Sequence, residues 1–177
     1  EILKSVPRSQ LQLKAKALGD QMTRVRIVQA FADQGVEEER IKLMPWITGS
    51  SPLAAYQGID IGLDTFPYHG TTTTMEALWM GVPVVTLAGN WHSSRVGVSI
   101  LARAKADDLI ATTPSDYVKI ATNIANSPDV IEKFRRSLRG MLVRGGLMDG
   151  VRFTHNLETA YRQVWRDWAA NECKLLS

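Results

Sequence analysis

Along this chain, short runs of apolar residues alternate with stretches where apolar residues recur every three or four positions. The first kind of pattern predicts strands and the second helices. Residues 11–17 form a first expected strand, with Leu11, Leu13 and Ala15 on one face. Asp20 then caps an expected helix whose Met22, Val25, Val28 and Phe31 recur at helical spacing, and Gly35 stops it. Residues 41–44 read as a second strand. Ser51-Pro52 has the order of a cap followed by proline and opens a brief helix through Tyr56. A third strand is expected over 59–63, a helix over 72–80 closed by Gly81, and a fourth, wholly apolar strand over 84–87. Residues 93–103 are helical, Leu109-Ile110 make a last strand, and Thr113-Pro114 start another helix. Residues 126–144 and 153–170 complete a helical tail. Strands this short and apolar, separated by helices, predict an α/β fold. Its core is a Rossmann-like parallel sheet of about five strands within residues 9–112, with helices on both faces. Ligands of such sheets bind beyond the carboxyl ends of the strands.

Composition narrows the picture. Of 177 residues, 45% are apolar and 22% charged, with 13 Gly and 7 Pro, which excludes disordered and collagen-like chains. A chain of this length buries roughly 70% of its unfolded surface, enough for a real core. A net charge of +3 is too small to imply nucleic acid. The single Cys173 excludes a disulfide framework within the chain and fits a reducing, cytoplasmic setting. Residues 1–20 carry scattered charges and no apolar block, so no secretory signal opens the sequence. The longest uncharged run, 77–94, is broken by Gly81, Pro83, Gly89, Asn90 and His92, which reads as a buried strand with its loops rather than a membrane span. The opening Glu-Ile-Leu-Lys has neither initiator Met nor cap, so the expectation is a helix tail at the start of an excised fragment. Without repeat or linker, residues 1–177 read as one domain, with 127–177 a helical tail.

Charge is sparse in the middle of the chain. From 41 to 100 the charged residues are Lys42, Asp60, Asp64, Glu76 and Arg95. That is the pattern of a buried sheet edge and its ligand loops. Within this region a loop ends in Gly70 and the four threonines Thr71, Thr72, Thr73 and Thr74, which enter a helix. The first turn of a helix leaves its N–H groups free at a positive dipole end and so accepts phosphate. Glu76 lies one turn beyond Thr72, placed to accept two hydrogen bonds from a ribose diol. The competing reading is a threonine that merely caps the helix and a glutamate that merely offsets its dipole. Four consecutive threonines are poor helix formers and more than a cap requires, which favours phosphate.

The string Leu63-Asp64-Thr65-Phe66-Pro67-Tyr68-His69-Gly70-Thr71-Thr72-Thr73-Thr74, followed by Glu76-Ala77-Leu78-Trp79-Met80-Gly81-Val82-Pro83, closely resembles glycosyltransferase family 41. That family includes O-linked N-acetylglucosamine transferases, SPINDLY-like proteins and bacterial relatives with tetratricopeptide repeats. The opening Ile2 to Pro7, Ser94-Arg95-Val96-Gly97 and the tail 157–168 extend the resemblance over essentially the whole chain. It implies the C-terminal, nucleotide-sugar-binding half of a two-domain GT-B transferase that is inverting and metal-independent. It further implies Thr72 and Thr73 at the diphosphate of a UDP-sugar and Glu76 at the ribose. Thr71 replaces a phosphate-contacting His of the animal enzymes, in the manner of the bacterial branch. The segment 45–49 matches the part that frames the uracil, with Ile47 using its backbone, Gly49 beside it and Trp46 nearby. Pro52 falls where many members place a His, so one expected donor is missing. A family Lys that contacts phosphate lies upstream of Glu1.

Other candidates carry less. His92 and Arg95 follow the fourth strand at the ligand edge, where Arg95 suits a phosphate or acceptor. His69, in the loop before the threonines, is placed to line the pocket or to stand in solvent. Asp64 suits fixing the loop by hydrogen bonds, and His155 a structural role. No Asp-x-Asp pair or His/Cys spacing proposes a metal, no cofactor is expected beyond the donor sugar nucleotide, and no nucleophile elbow is present. The basic set Lys133, Arg135, Arg136, Arg139, Arg144 and Arg152 reads as a solvated helix face rather than a nucleic-acid surface, because no aromatics interleave it. Leu157, Tyr161, Trp165 and Trp168 form a stripe directed at this domain or at an N-terminal half. The expected function is therefore donor binding for O-linked N-acetylglucosaminyl transfer to Ser or Thr of proteins held by upstream repeats, without nucleic acid or membrane. The alternatives are a noncatalytic nucleotide-binding or interaction module, an O-fucosyltransferase using GDP-fucose and, with a poorer match of the central motif, an epimerase.

Overall fold

A computed structural model describes residues 1–46 and 51–175. The chain opens with a short helix, α1 (Ile2–Ser5), and then a strand, β1 (Leu11–Lys14). Helix α2 (Gln21–Ala32) leads to β2 (Ile41–Met44), which pairs in parallel with β1, Leu11 opposite Ile41 and Lys14 opposite Met44. A 3-10 turn (Pro52–Tyr56) precedes β3 (Gly62–Leu63), α3 (Thr72–Trp79), β4 (Val84–Leu87), α4 (Val96–Ala104) and β5 (Ile110–Ala111). Strand β4 is central in the ladder β3-β4-β5, with every pairing parallel. Three helices follow: α5 (Pro114–Ala125), α6 (Pro128–Arg144) and α7 (Gly150–Leu175).

Val84, Val85 and Thr86 are buried in succession. Neighbouring strand residues point to opposite faces, so β4 is covered on both sides, as a parallel sheet requires. Helices α3, α4 and α5 all pack on β4, and α6 packs on all three. The core between them is built from Leu78, Val82, Val85, Leu101, Leu109, Leu138 and Leu142, each buried. The parallel α/β class expected from the pattern is the one observed.

Several details differ from that pattern. The expected single sheet appears as two parallel ladders, of two and three strands. The third strand shrinks to two residues because Asp60 turns away, bonding Arg135 at 2.8 Å, while the Gly62 and Asp64 N–H groups donate to the Pro83 and Val85 carbonyls. The last strand sits one residue later than expected, at Ile110–Ala111, and β1 ends at Lys14 before a 3-10 turn (Lys16–Gly19). In α2 the Asp20 carboxylate accepts from the Thr23 N–H at 2.7 Å, the expected cap, but the buried phase is rotated. Met22 is 77% exposed and Val25 also faces out, whereas Ile27, Val28 and Phe31 are partly covered. Arg24 explains the shift: its guanidinium lies inward, donating to the Leu43 carbonyl at 3.2 Å, so its stem occupies the inner face.

Arginines tie elements together elsewhere too. Arg40 donates to the Leu3 and Val6 carbonyls and to the Ser9 carbonyl, fastening α1 to the start of β2. Arg135 also donates to the Ile59 carbonyl, and Arg139 donates to the Trp79 carbonyl at 3.0 Å while its guanidinium lies over the Trp79 ring. Two members of the expected solvated basic face therefore pin α6 to the segment before β3 and to the end of α3. On α7 the aromatic stripe faces outward, with Trp165 66% exposed and its ring 5.1 Å from that of Trp168. Among the described residues no helix is long and apolar enough to cross a membrane.

The turn from α3 to β4 depends on Gly81, which sits at φ +79° with α6 against it. A Cβ there would lie 2.8 Å from the Arg135 Cα. Gly35 shares the left-handed backbone at φ +72° but has open space around it. We expect Gly35→Ala to cost about 1–2 kcal/mol from backbone strain alone. Gly81→Ala should cost clearly more, because α6 must also move. Urea unfolding of both variants measures the difference, and equal losses would mean that α6 does not press on this turn.

Candidate functional site

Loop 64–70 connects the end of β3 to the start of α3, and a buried polar cluster fixes its course. Asp64 is buried, and both its carboxylate oxygens are engaged. One accepts the Gly70 N–H at 2.8 Å, and the other accepts the Thr86 hydroxyl at 2.7 Å. The Asp64 carbonyl accepts the Tyr117 hydroxyl at 2.9 Å. His69 is only 1% exposed. Its Nε2 lies 2.9 Å from the Leu87 carbonyl, which can only accept, while its Nδ1 accepts the Gly97 N–H at 3.1 Å. These partners select the neutral ring with its hydrogen on Nε2. His69 thus neither lines a pocket nor stands in solvent. Its ring joins β4, the loop and the start of α4 in the interior, because the carbonyl and amide that satisfy it lie there.

The cluster delivers the first turn of α3 to the surface. Thr71 occupies the cap position with no side-chain bond to the helix, and Thr71, Thr72 and Thr73 are exposed. The capping alternative is therefore not what this structure shows. Thr74 differs from its neighbours: it is buried, and its hydroxyl donates to the Gly70 carbonyl at 3.0 Å. Since the Gly70 N–H and carbonyl are both turned to internal partners, the expected ligand donors reduce to the exposed threonines and the free amides beside them. Glu76 lies one turn along, partly buried, with its Oε2 3.3 Å from the Tyr56 hydroxyl. That hydroxyl also lies 3.1 Å from the Thr73 carbonyl. Burial first, and then the charge of Glu76, push the Tyr56 phenol up from 10.0 to about 12. Burial and the nearby Asp64 charge raise Tyr117 further.

Around this helix start the structure gathers some of the remaining candidates. His92 and Arg95, both exposed, line a concavity of about 450 Å³ together with Thr71, Val96, Val98 and Ser99. Arg95 donates to the Gly89 carbonyl at 3.1 Å, which holds its guanidinium beside the loop after β4. Trp46, following β2, is 70% exposed. Ile47 and Gly49 lie outside the described residues, and Pro52 begins the 3-10 turn that ends at Tyr56. Among the described residues no group of His, Cys, Asp or Glu is placed to hold a metal ion. Sequence reasoning missed Tyr56, Thr86, Gly97 and Tyr117. For Tyr56 a faint signal existed, a lone aromatic ending a turn in a charge-poor region. The others act through contacts that no local pattern announces.

Comparison with known proteins identifies the family and the fold. The model of the family described as "Glycosyl transferase family 41" matches residues 1–157. A protein of Oryza sativa subsp. japonica, named "Probable UDP-N-acetylglucosamine--peptide N-acetylglucosaminyltransferase SPINDLY", is 40% identical over 99% of this chain and 19% of its own length. The UDP-N-acetylglucosamine--peptide N-acetylglucosaminyltransferase of Caenorhabditis elegans is 29% identical over 94% of the chain and 14% of its own. Among solved structures, a mutant of the Thermobaculum terrenum O-GlcNAc transferase superposes with a TM-score of 0.88 at 40% identity, over 94% of this chain and 32% of that one. The chain thus spans about a fifth of the length of its curated plant relatives.

Two outcomes follow from the cluster and its phenols. Thr86→Val keeps shape but leaves a buried Asp64 oxygen without its donor, so stability should fall by about 1.5–3 kcal/mol. Chemical denaturation measures this, and an unchanged midpoint would show that the cluster contributes nothing net. For the phenols, a folded pKa above the unfolded value stabilises fully below the unfolded value. That contribution is lost as pH rises from 10 through about 12 for Tyr56. Tyr56→Phe should flatten the loss of stability over that window, as followed by melts at stepped alkaline pH.

Proposed function

Because the chain belongs to glycosyl transferase family 41, we propose that it supplies the nucleotide-sugar-binding C-terminal half of a metal-independent, inverting protein O-glycosyltransferase. The donor it suits best is UDP-N-acetylglucosamine, and the acceptor is Ser or Thr of a protein held by upstream tetratricopeptide repeats in the cytoplasm. The observation that carries this reading is the uncapped start of α3. There, exposed Thr71, Thr72 and Thr73 stand one turn from Glu76, on a loop fixed from below.

In such a transfer the acceptor oxygen attacks the anomeric carbon and the nucleoside diphosphate leaves as negative charge builds on its terminal phosphate. The free N–H groups of the first helical turn, the helix dipole and the Thr72 and Thr73 hydroxyls face that charge without having to reorganise. Glu76 accepts the ribose hydroxyls and sets the distance between nucleoside and helix. Trp46 and the segment after it, including Ile47 and Gly49, are proposed to border the base. His92 and Arg95 border the concavity next to Thr71, which suits the sugar or the approaching acceptor. Activation of the acceptor hydroxyl falls to groups in the N-terminal half, toward which the exposed stripe of α7 is proposed to face.

Calorimetry of UDP, GDP and uridine on the full-length protein tests the assignment. Changing Thr72 and Thr73 together to Val should weaken UDP by about 1.5–3 kcal/mol for each lost hydrogen bond to charge, while uridine is nearly indifferent. Glu76→Gln should weaken UDP and uridine alike, and EDTA should change neither. Equal UDP affinity in wild type and the threonine double variant would end the phosphate assignment. GDP binding more tightly than UDP would transfer the donor reading to GDP-fucose.

A further inference from the structure

We propose that Tyr56 is a positioning residue for the nucleotide: its hydroxyl holds the Glu76 carboxylate in the orientation that receives the ribose diol. The proposal rests on Glu76 being the ribose acceptor. Tyr56 ends the 3-10 turn (Pro52–Tyr56), and Glu76 lies 20 residues later on α3. Between them the geometry leaves little choice. The phenol oxygen is 3.3 Å from Glu76 Oε2 and 3.1 Å from the Thr73 carbonyl. Both neighbours are acceptors, so the phenol proton must be directed at one or shared between them. A phenol whose pKa stands near 12 keeps that proton at any working pH.

A glutamate on an exposed helix face samples many rotamers, and a ligand that needs one of them bears the ordering cost on binding. Tyr56 removes part of that cost beforehand by engaging one carboxylate oxygen, leaving the other oxygen and the remaining lone pairs for the two ribose hydroxyls. The same phenol touches the backbone of Thr73, one of the threonines proposed at the diphosphate. Tyr56 therefore joins the turn that follows the base-side segment to the phosphate-side helix, so the ribose acceptor and the phosphate donors are held in one frame. Tyr56 itself touches no reacting atom.

The test is a double-mutant cycle read with two ligands, UDP and 2′,3′-dideoxy-UDP, by calorimetry on the full-length protein. Tyr56→Phe keeps the ring, and a thermal melt run beside the calorimetry records any general loss of packing. Because Tyr56→Phe returns to the binding step the cost of ordering one side chain, it should weaken UDP about 3- to 10-fold. Dideoxy-UDP, which has no diol for Glu76 to receive, should change less than twofold. In a Glu76→Gln background, Tyr56→Phe should likewise have less than a twofold effect on UDP. A purely architectural tyrosine would instead weaken both nucleotides equally and in both backgrounds, and that result overturns the proposal. So does unchanged UDP affinity in Tyr56→Phe while Glu76→Gln is impaired. Should Glu76→Gln bind UDP as wild type does, the ribose reading itself falls, and the proposal with it. If Tyr56→Phe does not fold, Tyr56→His, which can still donate from its ring, is measured against Tyr56→Leu. Tighter UDP binding by the histidine variant supports the proposal, and equal binding overturns it.

Discussion

The loop that leads into α3, and with it the exposed start of that helix, hangs on a buried carboxylate. Asp64 sits where β3 stops, out of water, and each of its oxygens is answered by a donor: the Gly70 amide on one side and the Thr86 hydroxyl on the other. A carboxylate in that position is tolerable only when fully bonded, so the loop has little freedom to take another course. Once Gly70 is drawn back to Asp64, the next residues emerge at the surface already in a helical turn. The threonines owe their availability to this arrangement, since internal partners are met by Asp64, His69 and Thr74 instead. A helix start that has no side-chain cap of its own is thereby anchored from beneath.

What the sequence revealed and what it concealed divide along physical lines. Elements governed by one dominant local signal were legible to the residue: the apolar run of β4, the β2 strand, and the caps at Asp20 and Thr113, whose oxygens accept the Thr23 and Asp116 amides. Elements governed by competition were not. The face of α2 depends on whether an arginine stem or a methionine lies inward, and a distant carbonyl decides it. The third strand depends on where Asp60 finds a cation, 75 residues away. His69 is the clearest case. A histidine in a loop beside a glycine looks solvated, but its partners are 17 to 28 residues distant and meet only when the sheet and α4 are assembled. The exposed threonines and Glu76 were readable because a helix start is a local object. Of their supports, Asp64 was expected to fix the loop by hydrogen bonds and does so, whereas Thr86, Gly97 and Tyr117 were not foreseen.

Arginine placement shows the same logic with charge. A basic stretch on one helix suggests a face turned to solvent. Yet parallel strands and short helices leave carbonyls at their ends without partners, and a guanidinium offers five donors in a rigid fork to collect them. Arg40, Arg135 and Arg139 each end on such carbonyls. The cations act as staples between elements, and on α6 Arg135 and Arg139 are ordered by backbone carbonyls as well as, for Arg135, by the Asp60 carboxylate.

Gly97 gives the buried cluster an evolutionary consequence. A Cβ at this position would stand 2.5 Å from both an Asp64 oxygen and the Thr86 hydroxyl, and 3.1 Å from the His69 ring. No side chain fits while those three are present, so the site is closed to single substitutions. The two nearest atoms belong to positions 64 and 86, so a smaller residue at 69 would not open it, and the side chains that would have to change are the ones that hold the loop before α3. Replacement of glycine at 97 is therefore ordered in time behind changes at 64 and 86. Lineages descending from a common ancestor should keep glycine at 97 for as long as they keep that aspartate and that threonine.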